Sequence, residues 1–121
     1  MRKQTPLTPL LAVGVVLAFS VGAAAKINYE DHILPIFRDN CLKCHNPDKL
    51  KGDLDLTSFS GVLKGGGSGP ALNSGDPEGS VLFRVITHAE EPAMPPNGKL
   101  ADRDIALIRR WIQGGMLQGL N

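Results

Sequence analysis

Cys41-Leu42-Lys43-Cys44-His45 is the stretch on which the reading of the whole chain turns. Its two thiols stand one helical turn apart, and an imidazole follows the second at once. They are the only two cysteines among 121 residues. A disulfide between them would close a very small loop and remove little entropy from the unfolded chain. A dithiol redox pair of thioredoxin type belongs in a βαβ setting, which the flanking sequence lacks. A zinc site needs four ligands, and the other two histidines, His32 and His88, offer no paired spacing. The pattern that survives is the attachment signature of a c-type haem. One turn lets both thiols reach the vinyl groups of one porphyrin as thioethers, and His45 then falls beneath the iron as the proximal ligand.

Upstream, the chain opens like an export signal. Arg2 and Lys3 form a positive start, Leu10 to Val21 an apolar stretch, and Ala23-Ala24-Ala25 a small-residue cleavage pattern. The expected arrangement is a signal peptide over 1–25, cut after Ala25, and a mature domain over 26–121. The apolar run is short for a membrane span, so the mature form is expected to have none; an uncleaved N-terminal anchor is the alternative. Export places the protein in the periplasm. Of thirteen Lys and Arg, Arg2 and Lys3 leave with the leader, so eleven face all twelve Asp and Glu, a net charge near −1. That balance offers no clustered basic excess for nucleic acid. A domain this small buries about two-thirds of its unfolded surface and is marginal unaided, which gives a covalent haem a structural share as well.

Downstream, helix and loop signals alternate. Asn28 to Asn40 reads as a first helix with Ile33, Ile36 or Phe37, and then Cys41 and Cys44 near one face, its regular part starting late because of Pro35. Leu54 and Leu56 alternate with Asp53 and Asp55 in an extended piece, and Ser58 caps a short helix through Leu63. Lys64 to Gly75 is a glycine-rich loop. It lacks the Gly-Lys-Ser/Thr of a phosphate cradle, and Asp48, Asp53 and Asp55 lack calcium-loop spacing. Asp76-Pro77-Glu78 signals a helix start, running through Val81, Leu82, Val85 and Ile86 towards His88. Glu90 to Leu100 is a proline-rich loop around Met94. Asp102 and Asp104 open a last helix, Ile105, Ile108, Trp111 and Ile112 stripe it, and Gly114-Gly115 ends it. The fold class is all-α with long loops, and long loops in a small helical domain need something to wrap.

Several of these segments together carry a resemblance. Ile33-Leu34-Pro35-Ile36-Phe37 leads into the cysteine motif. Lys64 to Ala71, Gly75-Asp76-Pro77-Glu78 with Ser80, Met94-Pro95-Pro96, Lys99-Leu100 and Ile105 to Ile112 follow in order. The chain resembles the planctomycete-type cytochrome c domain, a branch of the class I cytochrome c fold. Ala101 departs from it where a capping Ser or Thr is usual, and Gly79 sits inside a helix. The resemblance implies a small class I-like domain of about four short helices wrapping one covalent haem. It also implies Trp111 in the core where the last helix crosses the first.

The sixth iron ligand has four candidates: Met94, Met116, His88 and His32. Met94 leads because its flanking prolines stiffen the loop, and it matches the family's distal methionine; His88 is the runner-up. The proximal histidine needs an acceptor for its other N–H, and similarity of Ser68 to Leu72 to the corresponding class I segment implies the Pro70 carbonyl. Cofactor contacts are thus expected from Cys41, Cys44, His45, Met94 and Pro70, with iron held by His45 and Met94. A cavity is expected between Cys44, His45 and Met94. An apolar wall of Ile33, Phe37, Leu72, Leu82, Val85, Ile108 and Trp111 is expected to keep the haem dry. With both axial positions filled, the expected role is a non-enzymatic single-electron carrier serving redox partner proteins, as a monomer or docked onto a larger redox complex. A haem-based sensor with a displaceable distal ligand is the alternative.

Overall fold

The computed structural model describes residues 2–18 and 26–120. The predicted cleavage point after Ala25, and the end of the apolar stretch before it, lie outside the described residues. Residues 2–18 have no regular secondary structure and are exposed. Among the described residues, no helix is long and apolar enough to cross a membrane.

The described domain is helical, without strands beyond two isolated bridges. The regular α-helix starts late with Pro35 in its first turn, as expected, and a wider turn precedes it. Asn28, itself buried, caps the chain by accepting the Asp31 N–H at 2.9 Å. Tyr29–Ile33 then forms one wide π-helical turn closed by Leu34 N–H on the Tyr29 carbonyl. Proline has no N–H to return to the carbonyl four residues back, and the wide turn carries the chain past that gap before α1, Leu34–Asn40. Both Cys41 N–H, at 2.7 Å, and Leu42 N–H, at 3.0 Å, then converge on the Phe37 carbonyl, and α1 stops where the motif begins.

The short α2, Phe59–Lys64, starts as expected, with Ser58 Oγ accepting the Gly61 N–H at 3.0 Å. The third helix does not start at Pro77. Asp76 Oδ1 takes the Gly79 N–H at 3.0 Å and Ser80 N–H closes on the Pro77 carbonyl, so Asp76–Gly79 is a capped turn and α3 spans only Val81–Ile86. The reason is Ser80. Its hydroxyl is buried, donating to the Asp76 carbonyl at 2.8 Å and accepting the Asn73 N–H at 2.8 Å. Those bonds hold Ser80 extended, and Gly79 beside it has poor helix propensity.

The last helix, α4, spans Asp102–Gln113. Ala101 supplies no side-chain cap, so Asp102 and Asp104 in the first turn carry the favourable interaction with the helix dipole. At the other end Gly115, at φ +93°, lets its own N–H reach Ile112 and Met116 N–H reach the Trp111 carbonyl, a Schellman stop. Trp111 is fully buried against the first helical turn, as the resemblance implied. Tyr29 is the hub of that junction. Its ring lies 6.2 Å from Trp111, 6.3 Å from Phe37 and 5.6 Å from Phe59, and its hydroxyl donates to the Leu56 carbonyl at 3.0 Å. Of the expected apolar wall, Ile33, Phe37, Leu82, Ile108 and Trp111 are buried, while Leu72 and Val85 are half-buried against them.

Candidate functional site

The motif residues sit in a single turn that follows α1. Cys44 N–H and His45 N–H both point back at the Cys41 carbonyl, at 3.2 and 3.1 Å. Both cysteines are free thiols and half-buried. Burial pushes the Cys41 thiol up to about 11, so before any attachment it is protonated and poorly nucleophilic at neutral pH. Asn46 closes the turn. Its side-chain amide donates to the Leu42 carbonyl at 2.6 Å, and its oxygen accepts the N–H groups of Asp48 and Lys49.

His45 Nδ1 lies 3.0 Å from the Lys51 carbonyl. A carbonyl only accepts, so Nδ1 carries the proton and Nε2 keeps a lone pair. That tautomer is the one a metal-ligating imidazole needs. The acceptor is therefore Lys51 and not Pro70, as the resemblance had implied. Pro70 follows Gly69, held at φ +103°, and is exposed. Lys51 is instead folded back onto the motif, its own N–H bonded to the Cys44 carbonyl at 3.0 Å. The fold-back runs through left-handed backbone at Leu50, Gly52 and Asp53, with φ between +43° and +63°. For Leu50 and Asp53 such a conformation costs about 1–3 kcal/mol each. It is offset by Leu50 N–H to Asn46, Asp53 N–H to Leu50, and Gly67 N–H to Gly52. The His45 carbonyl meanwhile accepts Leu56 N–H at 3.0 Å, which links the motif to the Tyr29 hub. The Lys51 contact had no side-chain signal in the sequence; Asn46-Pro47-Asp48, a turn signal, was the only local pointer.

The other candidate ligands are placed differently. Met94 is half-buried, packs against the core, and ties its N–H to the Val85 carbonyl at 3.0 Å. Met116 packs in the stop of α4. His32 Nδ1 is engaged by the Asn28 N–H at 3.1 Å. His88 is exposed, just past α3 at φ +62°. The motif and the methionine loop share a hollow of about 340 Å³, but it is lined by Cys41 and Pro95, together with Arg38, Lys43 and Lys99, and not by Cys44, His45 or Met94, between which the cavity was expected. A second hollow of about 620 Å³ lies beyond the strained turn, against Leu50, Gly65 and Gly66.

The donor set suits one covalent haem. Two free thiols stand one turn apart, an imidazole offers its Nε2, and a thioether sits on the proline-rich loop whose Pro95 borders the same hollow as Cys41. Residues 41–98 match the family model described as Planctomycete cytochrome C, from the first cysteine of the motif to the end of the methionine loop. No curated protein and no solved structure matches the chain.

Proposed function

We propose that this chain, whose residues 41–98 carry a planctomycete-type cytochrome c domain, is an exported single-electron carrier with one haem held by Cys41, Cys44, His45 and Met94. The fold it adopts around that group is of the class I cytochrome c kind. When bound, the haem supplies a one-electron iron couple. The chain's residues do the rest. Cys41 and Cys44 anchor the porphyrin, and His45 presents Nε2 because Lys51 holds its Nδ1 proton. Met94 offers a soft sulfur that favours ferrous iron, while Ile33, Phe37 and Ile108 exclude water from one side. The observation that carries the reading is the His45–Lys51 bond, since it readies the one imidazole that follows the two free thiols.

The test is an absorption spectrum and an acid–acetone extraction of the mature, haem-loaded protein. Haem should stay with the polypeptide, and Cys41→Ala together with Cys44→Ala should release it. Free haem in the extract of the unsubstituted protein would end the reading.

A further inference from the structure

We propose that Arg84 is the positioning residue that fixes the entrance of the Met94 loop and so sets how readily the distal sulfur leaves iron. The inference rests on the carrier reading and adds a residue of α3 that governs exchange of the sixth ligand. The chain leaves α3 through His88, held at φ +62°. Ala89 N–H and Glu90 N–H then both return to the Arg84 carbonyl, at 2.9 and 3.2 Å, and His88 N–H returns to Val85 at 3.2 Å, a Schellman pattern. The Arg84 side chain takes hold of the same turn. Its Nε–H donates to Glu90 Oε2 at 2.7 Å, and Nη1 donates to the Glu78 carbonyl at 2.9 Å. The backbone and the guanidinium of one residue therefore both grip Glu90.

The lap that follows is short and closed. It starts on Arg84 and returns at Met94, whose N–H meets the carbonyl of the next residue of α3, Val85, at 3.0 Å. Between these points the Ala93 N–H bonds to the Glu91 carboxylate, which ties the lap only to itself. Among the described residues, Arg84–Glu90 is the one bond between side chains that joins the lap to α3. Without it the entrance has more room, and a longer free segment holds its far end less closely. Arginine suits the task because its planar fork serves two acceptors at once, a carboxylate and a carbonyl, where lysine offers a point charge. The two side chains are 34% and 44% exposed, so water and salt screen the pair and its effect is modest.

The test is ligand exchange in the ferric, haem-loaded mature protein, with imidazole as the probe. At saturating imidazole, binding runs at the rate at which Met94 departs. Arg84→Gln should raise that limiting rate about fivefold at low salt, and the gain should shrink as salt rises. Arg84→Lys, which keeps the charge and loses the fork, should fall between Arg84→Gln and the parent. Glu90→Gln should act in the same direction, and the double variant should be scarcely faster than Arg84→Gln, because one contact is lost only once. Arg103→Gln breaks the Arg103–Asp104 contact at the start of α4 and should leave the rate at the parent's value. An unchanged limiting rate in Arg84→Gln, independent effects of Arg84→Gln and Glu90→Gln, or an equal rise in Arg103→Gln overturns the proposal. Met94→Ala tells the two readings apart, since it should bind imidazole with no limiting rate at all. A limiting rate retained in Met94→Ala would remove Met94 as the departing ligand and sink the axial assignment together with the proposal. A limiting rate that Met94→Ala abolishes but Arg84→Gln leaves untouched sinks only the role of Arg84.

Discussion

The two flanks of the proposed haem site are built in opposite ways. Residues 41–56 are laced by short-range bonds: His45 to Lys51, Lys51 to Cys44, Leu50 to Asn46, Leu56 to His45, and the three bonds of the Asn46 side chain. Around Met94 the loop is sparse. Met94 N–H reaches Val85, Ala93 N–H reaches the Glu91 carboxylate, and Gly98 N–H makes a long bond of 3.3 Å to Pro95. The proximal flank is held by hydrogen bonds that left-handed backbone makes available. The distal flank relies on proline, which restricts φ without donating a bond. In the proposed site, one side presents its candidate ligand in advance; the other keeps its candidate near by limiting where the chain can go.

Leaving out the haem should be the most damaging change, because neither flank has a large core of its own. The apoprotein should show no cooperative thermal transition by circular dichroism. A sharp transition without haem would mean that the Tyr29–Trp111 junction sustains the fold alone.

Met94→Ala comes next. It should open the iron, admit carbon monoxide to the ferrous protein, and lower the reduction potential, while Met116→Ala and His88→Ala leave spectrum and potential alone. If His88→Ala changes both and Met94→Ala neither, the sparse flank holds a histidine, and the potential belongs with His/His cytochromes.

A paired substitution then measures the asymmetry directly. Asn46→Ala removes three bonds from the dense flank and should cost about 1–2 kcal/mol in denaturant unfolding of the holoprotein. Asn97→Ala, on the exposed distal loop, should stay within about 0.5 kcal/mol. Equal costs would remove the contrast.

Smaller effects are expected at the strained turn. Gly52 stands at φ +63° with open space where an alanine methyl would sit, so Gly52→Ala adds only backbone strain, about 1 kcal/mol. That strain should loosen the Lys51 carbonyl from His45, make the imidazole a weaker donor to ferric iron, and raise the potential. Lys51→Ala keeps the carbonyl in place and should leave the potential close to that of the parent. A larger shift from Lys51→Ala than from Gly52→Ala would assign the effect to the lysine charge.

The smallest effect lies off both flanks. The Arg109 guanidinium, which also covers the Phe83 ring at 4.6 Å, holds the Glu78 carboxyl below its ordinary range, chiefly through their hydrogen bond. A depressed carboxyl contributes stability above its unfolded pKa and loses it as pH falls through the folded value. The parent should therefore lose a little stability on acidification that Glu78→Gln does not lose. Parallel pH profiles for the two proteins would show that this exposed pair contributes nothing.

Much of this was legible because its causes are local. The thiol–thiol–imidazole spacing, the Ser58 cap, the α4 stripe of Ile108, Trp111 and Ile112, and the Gly114-Gly115 stop each need only neighbours a turn or two away. Three features were not legible. Ser80 shortened α3 because its hydroxyl became buried beside Asn73, and burial is not a property of a residue alone. The His45 acceptor moved from Pro70 to Lys51 because every residue carries the same carbonyl, so only the path of the chain chooses among them. The third is the cluster of Arg38, Lys43 and Lys99. Composition gave a near-neutral protein, and it took the packing of α1 against the Met94 loop to gather three remote cations around one hollow. Sequence alone determined the spacing of the candidate haem-binding groups and where most of the helices lie, since those follow from short-range chemistry. Tertiary structure decided which backbone atom orients the proximal ligand and where the charge collects, because both depend on segments that meet only when the chain has folded.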